Sequence, residues 1–256
     1  RAVFEKFDTF LFSKFIELKK NIKTLEIGPS TNPISRKNTT FVDMFNDVPF
    51  VLQENETYVK SRFPDIELDK KFNRIVASHV FEHSTEPEQF LKKCIEMLDD
   101  DGEIFLSIPN FEFWINNKYW NGITAEHQIY PSIKQINHIC NKNKLNLKFE
   151  FFKNHSVFLR INENKIENDY KYNNSINILE WAKSIKSSIK NLEEKITSEC
   201  IENAMIVGAS HISQYPILIS DKIKNTIHFS LDNSISKHDL RLYGTKCICK
   251  PFEILR

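Results

Sequence analysis

The stretch from residue 24 to residue 43 constrains the fold more than any other part of the chain. A short apolar strand around Leu25 and Ile27 leads into Gly28, and after a turn-rich segment a second strand ends on Asp43. A strand, a glycine turn and an acid that closes the next strand are typical of the nucleotide-binding half of a doubly wound sheet. Glycine lets the backbone approach a ligand closely. We therefore expect Asp43 to accept hydrogen bonds from a ribose diol.

The residues after Gly28 narrow the class of ligand. Pro29, Ser30 and Thr31 stand where a pyrophosphate-binding loop carries further glycines. A dinucleotide needs the close backbone approach that those glycines allow, so a ligand with a ribose and no phosphate fits better. S-adenosylmethionine is the common ligand of that kind. A tight strand-to-helix turn with an exposed Asp43 is the alternative.

Composition excludes several functional classes. The 256 residues are 41% hydrophobic, enough for one large core or for one domain and a small second unit. The net charge of +1 favours neither nucleic acid nor an anionic membrane surface, and no apolar run reaches the roughly 20 residues that span a bilayer. We expect no nucleic-acid partner and no membrane span.

The cysteines bear on metal binding and location. Five are scattered along the chain, and Cys247 and Cys249 lack a second pair, so we expect no zinc site and no other metal. Free thiols and the lack of a signal segment favour the cytoplasm, and Arg1 indicates that the true start is missing.

Apolar patterns predict strands alternating with helices. Strands are expected at 23–28, 40–43, 74–78, 103–108 and within 145–160, helices at 3–20, 54–62, 86–98 and 131–143, a turn at 99–102 and an aromatic loop at 111–130. This alternation predicts a Rossmann-like, doubly wound α/β sheet that is mostly parallel, with right-handed crossovers.

A second, shorter α/β pattern closes the chain. A strand at 204–210 ends in a turn at Gly208, a strand at 226–231 is followed by Asp232, and 247–251 forms one more strand. This pattern predicts a smaller Rossmann-like unit. We expect a first domain at 1–160, a linker and amphipathic helix at 161–200, and the small unit at 201–256.

Five motifs follow one another between residues 24 and 127: Glu26-Ile27-Gly28, Asp43, Ala77-Ser78-His79-Val80-Phe81-Glu82-His83, Asp101-Gly102-Glu103 and Ile108-Pro109-Asn110. Their combination resembles class I S-adenosylmethionine-dependent methyltransferases. The resemblance implies a methyltransferase domain that uses S-adenosyl-L-methionine and releases S-adenosyl-L-homocysteine.

The resemblance also implies where the cofactor binds. Its amino-acid end is expected at the glycine turn, its ribose at the acid after the second strand, and its adenine before the third parallel strand. The residues that follow the next strand are expected to line the crevice. The residues concerned are Glu26, Gly28, Pro29, Asp43, Asp65, Ile66, Ser78 and His79. The alternatives are a capped strand end for Glu26, an ordinary turn acid for Asp65 and a hydrogen-bonded, half-buried histidine for His79.

The segment Thr124-Ala125-Glu126-His127 follows the Pro-Asn stop, where a loop is expected to meet the methyl acceptor. An unperturbed imidazole titrates near neutrality, so His127 is the expected general base and Glu126 is expected to orient it. A structural hydrogen bond from His127 is the alternative. We assign Glu82 and His83 to the start of a helix, where they support the fold.

Three aromatic residues in the same region are candidate substrate-binding residues. Trp114, Tyr119 and Trp120 are expected to stack on a sugar face, with a hydrophobic plug as the alternative. The acceptor is then a small molecule or is linked to a sugar.

The chain also resembles a particular methyltransferase subgroup. Glu26-Ile27-Gly28-Pro29 with Pro33 resembles proteins of surface-polysaccharide pathways such as capsule biosynthesis, and the final 50 or so residues resemble an appendage of sugar-pathway proteins. This implies O-methylation of a sugar-nucleotide, a phosphoramidate or another precursor of a cell-surface polysaccharide.

Two other functional readings stay open. A non-catalytic nucleotide-binding or scaffolding module with a degenerate methyltransferase fold is the main alternative. A nicotinamide enzyme built on the turn at Gly208 is a weaker one. The oligomeric state is left open by the sequence.

Overall fold

The computed structural model describes residues 10–16, 22–120, 124, 126–163, 176–242 and 244–255. The chain divides into two compact units. The first comprises Arg1–Phe111 and Glu126–Asn174, and the second comprises Glu112–Ala125 and Ser175–Arg256.

The first unit is built on a seven-stranded sheet. Its strands are β1 Thr24–Ile27, β2 Thr39–Asp43, β3 Thr57–Lys60, β4 Phe72–Ser78, β5 Leu98–Pro109, β6 Asn146–Phe152 and β7 Ser156–Asn162. They lie in the order β3-β2-β1-β4-β5-β7-β6. Strands β1 to β5 are parallel to one another, whereas β7 runs antiparallel to both β5 and β6.

The strand order reverses at β1. The chain proceeds from β1 outward to β2 and β3, and then returns to place β4 on the other side of β1. In open α/β sheets, ligands bind outside the carboxyl ends of the strands where the order reverses in this way. The carboxyl ends of β1 and β4 therefore define the expected ligand site.

Burial explains why the central strands form. All four residues of β1 are buried, and Leu25, Ile75 and Leu106 on three neighbouring strands are fully enclosed. A parallel sheet with both faces covered favours continuous apolar runs, and β4 accordingly carries the buried run Ile75-Val76-Ala77.

Helices of the first unit cover this sheet. They are a helical segment at 10–15, a 3-10 turn at Phe81–His83, α1 at Pro87–Met97 and α3 at Ile133–Lys142. The short helix α2, Phe111–Asn116, lies between α1 and α3 in the chain, and all of it after Phe111 belongs to the second unit. Pro87 occupies the first turn of α1, where its missing N–H costs no helical hydrogen bond. In α3, Ser132 and Gln135 form a reciprocal capping box.

Two predicted elements are wrong. The helix expected at 54–62 is the edge strand Thr57–Lys60, where Thr57 pairs with Thr40 of β2 and a tyrosine and a valine favour extended backbone. The turn expected at 99–102 lies inside the strand Leu98–Pro109, and the pairing of this strand with β4 shifts its register at that point.

Part of the aromatic loop is also different from the prediction. Residues Phe111–Asn116 form a short helix. Of the N-terminal helix expected at 3–20, residues 10–15 are helical, while 3–9 and 17–20 lie outside the described residues. Most of the expected linker, 164–175, also lies outside them.

The elements of the second unit are α4 Ile178–Ser198, β8 Ala204–Val207, α5 His211–Ile219, α6 Asp221–Thr226, β9 Ile227–Leu231 and β10 Ile248–Lys250. Its three strands form a parallel sheet in the order β10-β9-β8. One apolar face of α4, with Ile185, Ile189 and Ile196, packs in the core of this unit. The predicted fold class, a mostly parallel Rossmann-like sheet with a smaller α/β unit, is confirmed.

No helix in the described ranges combines the length and the apolar character needed to cross a bilayer. The predicted domain boundaries at 160 and 200 stay predictions.

Candidate functional site

Gly28 shapes the turn that follows β1. Its φ of +64° lies in the left-handed region, and a Cβ added there would lie 2.6 Å from Cγ2 of Val80. Its N–H donates to the carbonyl of Val42 at 2.8 Å. The turn is therefore closed tightly against the segment that follows β4, and both conformation and space require glycine.

The side chain of Glu26 holds the loop that follows this turn by accepting hydrogen bonds from its backbone. It is buried, and its two carboxylate oxygens accept hydrogen bonds from the backbone N–H groups of Ile34 and Ser35, each at 2.7 Å. Burial raises the pKa of Glu26 to about 7, and these amide hydrogen bonds oppose that rise. The predicted contact of Glu26 with the cofactor stays a prediction.

Asp43 ties the end of β2 to the glycine turn. One carboxylate oxygen accepts from the N–H of Ser30 at 3.2 Å and the other from the N–H of Met44 at 2.7 Å. The structure thus brings Asp43 and the Gly28 turn together. Each carboxylate oxygen has a second lone pair, which leaves acceptor capacity for a ribose diol.

The remaining predicted cofactor residues differ in exposure. Pro29 is buried and Ser78 is half-buried at the end of β4. The side chain of Asp65 is 62% exposed and lies 3.7 Å from Nε of Arg62. Ile66 is packed in the main core with 2% of its surface exposed, which leaves it little area for an adenine.

His79 holds a polar network at the carboxyl end of β4. Its Nδ1 lies 3.2 Å from Oε1 of Glu82, and its Nε2 lies 3.3 Å from Oγ of Ser107 and 3.2 Å from Oγ of Ser156. Because an ionised carboxylate only accepts, the Nδ1 of His79 donates and its Nε2 accepts from a serine hydroxyl. His79 thereby joins the ends of β4, β5 and β7.

A cluster of three potential ligands lies next to this network. Donor atoms of Glu82, His83 and His127 all lie within 4.8 Å of one another. The backbone carbonyl of Glu82 accepts from the N–H groups of Gln128 at 2.9 Å and Ile129 at 3.1 Å. These backbone hydrogen bonds hold the segment that carries His127 beside the segment that carries Glu82 and His83. The main chain therefore sets the position of His127.

The rings in this cluster are close together. The centroids of His83 and His127 are 5.0 Å apart in a T-shaped arrangement. Burial lowers the pKa of His127, while the nearby carboxylate of Glu82 works in the opposite direction. At neutral pH, His127 is therefore an imidazole with a lone pair, as a proton acceptor or a metal ligand requires.

The sequence patterns did not indicate that these three residues lie together. They predicted a structural role for Glu82 and His83, and they predicted that Glu126 orients His127. The structure shows that the carbonyl of Glu126 lies 2.9 Å from Nδ1 of His83. The detectable signal is topological, because these segments follow the neighbouring parallel strands β4 and β5. Orientation of His127 by Glu126 stays a prediction.

Residues 3–148 match the sequence model of a methyltransferase domain family. The chain belongs to this family. No curated protein matches the sequence.

Similar solved structures are also methyltransferases. They include the glycopeptide N-methyltransferase MtfA, with 12% identity, a TM-score of 0.45 and coverage of 60% of this chain and 89% of that one. Magnesium protoporphyrin IX methyltransferase (ChlM) from Synechocystis PCC 6803, with bound SAH, has 12% identity, a TM-score of 0.47 and coverage of 62% and 83%.

The methyltransferase carries its three predicted substrate-binding aromatics in the second unit. Trp114 is buried, with 8% of its surface exposed, and Trp120 packs against the core of that unit. Tyr119 is 48% exposed, and its carbonyl accepts from Nε1 of Trp181 at 2.7 Å. Stacking of a sugar on these residues stays a prediction, and Tyr119 offers it the most surface.

The second unit of the methyltransferase has its own glycine turn. Gly208 has φ +93°, and the following N–H, of Ala209, donates to Asp232 at 2.9 Å. Asp232 also accepts from Nζ of Lys237 at 2.8 Å and from the N–H of Ser234 at 2.8 Å. The hydrogen bond from Lys237 is the main reason that the pKa of Asp232 falls to about 2. The negative charge of Asp232 is therefore balanced by the ammonium of Lys237.

Proposed function

We propose that this methyltransferase uses S-adenosyl-L-methionine to O-methylate a cytoplasmic precursor of a cell-surface polysaccharide, releasing S-adenosyl-L-homocysteine. The acceptor is a sugar-nucleotide, a phosphoramidate or a related small or sugar-linked molecule. The observation that carries the proposal is the bond between Asp43 and the N–H of Ser30, just beyond Gly28. It sets a carboxylate beside the glycine turn at the point where the strand order reverses.

The residues at this turn fit the cofactor. The left-handed backbone at Gly28 makes the turn that lies beside Asp43, and Asp43 retains lone pairs for the two ribose hydroxyls. Pro29 and Ser30 give no pyrophosphate loop, which suits a nucleoside without phosphate.

The cofactor supplies an already activated methyl group on a sulfonium. The protein therefore contributes mainly position, and it removes a proton where the acceptor is a hydroxyl. In this proposal Asp43 orients the adenosine, and His127 takes the hydroxyl proton because burial favours its neutral form. The backbone bonds from Gln128 and Ile129 to Glu82 hold that base in place.

The acceptor class has separate support. It comes from the resemblance of Glu26-Ile27-Gly28-Pro29 and of the final segment to proteins of polysaccharide pathways. An exposed aromatic ring such as that of Tyr119 suits a sugar face.

One observation favours a non-catalytic alternative. The carboxylates of Glu26 and Asp43 are already engaged by backbone amides, so both could serve loop structure alone. In that case the chain is a nucleotide-binding or scaffolding module.

Calorimetric titration with S-adenosyl-L-homocysteine separates these functions. The proposal expects saturable binding at one site, followed by transfer of a labelled methyl group to a member of a panel of sugar-nucleotides and phosphoramidates, detected by mass spectrometry. Absence of binding would leave the scaffold. Binding with transfer only to acceptors outside this panel would retain the methyltransferase and reject the acceptor class.

A further inference from the structure

Glu82 has an unusual environment for a carboxylate. It is 1% exposed, and only one of its oxygens has a partner, Nδ1 of His79. Among the described residues, no hydrogen-bond donor reaches the other oxygen, Oε2. Burying a charged oxygen without a partner is costly, and such groups in native proteins are commonly explained by a bound water or ion or by a functional role.

Two imidazoles face this carboxylate. The donor atoms of Glu82, His83 and His127 lie within 4.8 Å of one another, a separation that one metal ion can bridge. Metal–ligand distances of about 2.0–2.2 Å for zinc with imidazole and carboxylate require ligand atoms to be this close.

The surroundings prepare these groups for coordination. A carbonyl only accepts, so Nδ1 of His83 donates to the carbonyl of Glu126 at 2.9 Å, and this tautomer leaves the lone pair on Nε2. His79 holds Oε1 of Glu82 at 3.2 Å. Outer hydrogen bonds of this kind orient the ligands of metal sites and fix their tautomers.

We propose that Glu82, His83 and His127 bind one divalent transition-metal ion. Two imidazoles and one carboxylate suit Zn²⁺, Co²⁺, Ni²⁺ or Fe²⁺ better than Mg²⁺ or Ca²⁺, which prefer oxygen ligands. Three protein ligands leave coordination positions open, as in catalytic metal sites. The sequence predicted no metal site, but that prediction rested on the spacing of the cysteines and did not take these three residues into account.

The site lies beside the proposed cofactor crevice. Glu82 and His83 follow Val80, whose Cγ2 is the atom that a Cβ on Gly28 would meet. A divalent ion lowers the pKa of an oxygen bound to it. An ion held by these residues would supply that activation to an acceptor hydroxyl, with His127 as one of its ligands, and the general-base role proposed above for His127 applies to the metal-free protein. Metal binding itself does not depend on the cofactor.

Cobalt titration of the metal-stripped full chain tests the proposal. Visible d–d absorption is expected to saturate at one Co²⁺ per chain, and Zn²⁺ is expected to displace the bound Co²⁺, whereas Mg²⁺ and Ca²⁺ are not. His83→Gln and His127→Gln are each expected to weaken binding by at least the ~10–100-fold that loss of an outer partner causes. His138→Gln, on the exposed face of α3, is the matched control and is expected to bind as the wild type does.

Other outcomes overturn the proposal. They are no saturable binding, binding that survives both histidine substitutions, or an intense thiolate-to-cobalt band that identifies cysteine ligands such as the exposed Cys200. If circular dichroism shows that the variants do not fold, pulsed electron paramagnetic resonance on wild-type protein with one Cu²⁺ decides. Two coordinated imidazoles support the site, and fewer than two contradict it.

Discussion

The contact between Gly28 and Val80 gives a prediction that can be worked out from the structure. In Gly28→Ala the new Cβ is held at φ +64° and lies 2.6 Å from Cγ2 of Val80. The left-handed conformation costs about 1–2 kcal/mol and the overpacking about 1–3 kcal/mol. We expect the free energy of unfolding of the first unit to fall by roughly 2–5 kcal/mol.

A double-mutant cycle separates these two contributions. Val80→Ala removes two methyl groups from a half-buried side chain and is expected to cost up to about 1.6 kcal/mol. In the double variant the clash is relieved, so its destabilisation is expected to be smaller than the sum of the single effects by about 1–3 kcal/mol. The strain of the left-handed backbone remains.

The assay must report on the first unit alone, because two compact units need not unfold together. Cys94 and Cys140 are buried in the first unit, whereas Cys247 and Cys249 are buried in the second. Thiol labelling along a urea series, quantified by peptide mass spectrometry, follows each unit separately, and the exposed Cys200 reports labelling of the native state. Single effects that add within about 0.5 kcal/mol would refute the steric account.

Three further predictions concern the proposed cofactor site and the buried acid. Asp43→Ala is expected to weaken S-adenosyl-L-homocysteine binding by about 1–3 kcal/mol by calorimetry, while Asp100→Ala does not; equal affinities would remove Asp43 from the site. His127→Ala is expected to lower turnover by about 10²-fold or more with cofactor affinity unchanged, while His138→Ala retains turnover; a nearly unaltered rate contradicts its role. The pKa of Glu26 rises from 4.5 to about 7 on folding, so its stabilising contribution is full below pH 4.5 and falls as the pH rises to about 7. The free energy of unfolding of wild type relative to Glu26→Gln, measured by urea denaturation, is expected to fall by up to ~3 kcal/mol over this range, and a constant difference would contradict the burial argument.

Local patterns allowed the core of the fold to be predicted. The segment from β1 to Asp43 combines buried strands, a glycine turn and a closing acid within a short stretch, so each part restricts its neighbours. Strand β3 was missed because its four residues are exposed or half-buried and have no apolar face to reveal a period of two. Pairing with β2, a contact distant in sequence, makes it a strand.

The cluster of Glu82, His83 and His127 shows the limit of local patterns. The two segments are far apart in the chain, and main-chain bonds from Gln128 and Ile129 to Glu82 bring them together. Each residue taken alone has an ordinary structural explanation. Only the order of β4 and β5 in the sheet indicates that the segments after them meet at one edge.

The two glycine turns show why local geometry does not by itself give a binding site. In each unit an acid at the carboxyl end of the second strand accepts a hydrogen bond from a backbone N–H just beyond a left-handed glycine. This acid is Asp43 in the first unit and Asp232 in the second. Asp232 is also bonded to Lys237, whereas Asp43, among the described residues, forms no ion pair. A ribose hydroxyl would have to compete with an ammonium at Asp232, and it meets no such competitor at Asp43. Among the described residues, the ribose contact proposed for Asp43 therefore meets no competing ammonium, whereas Lys237 already occupies Asp232 in the second unit.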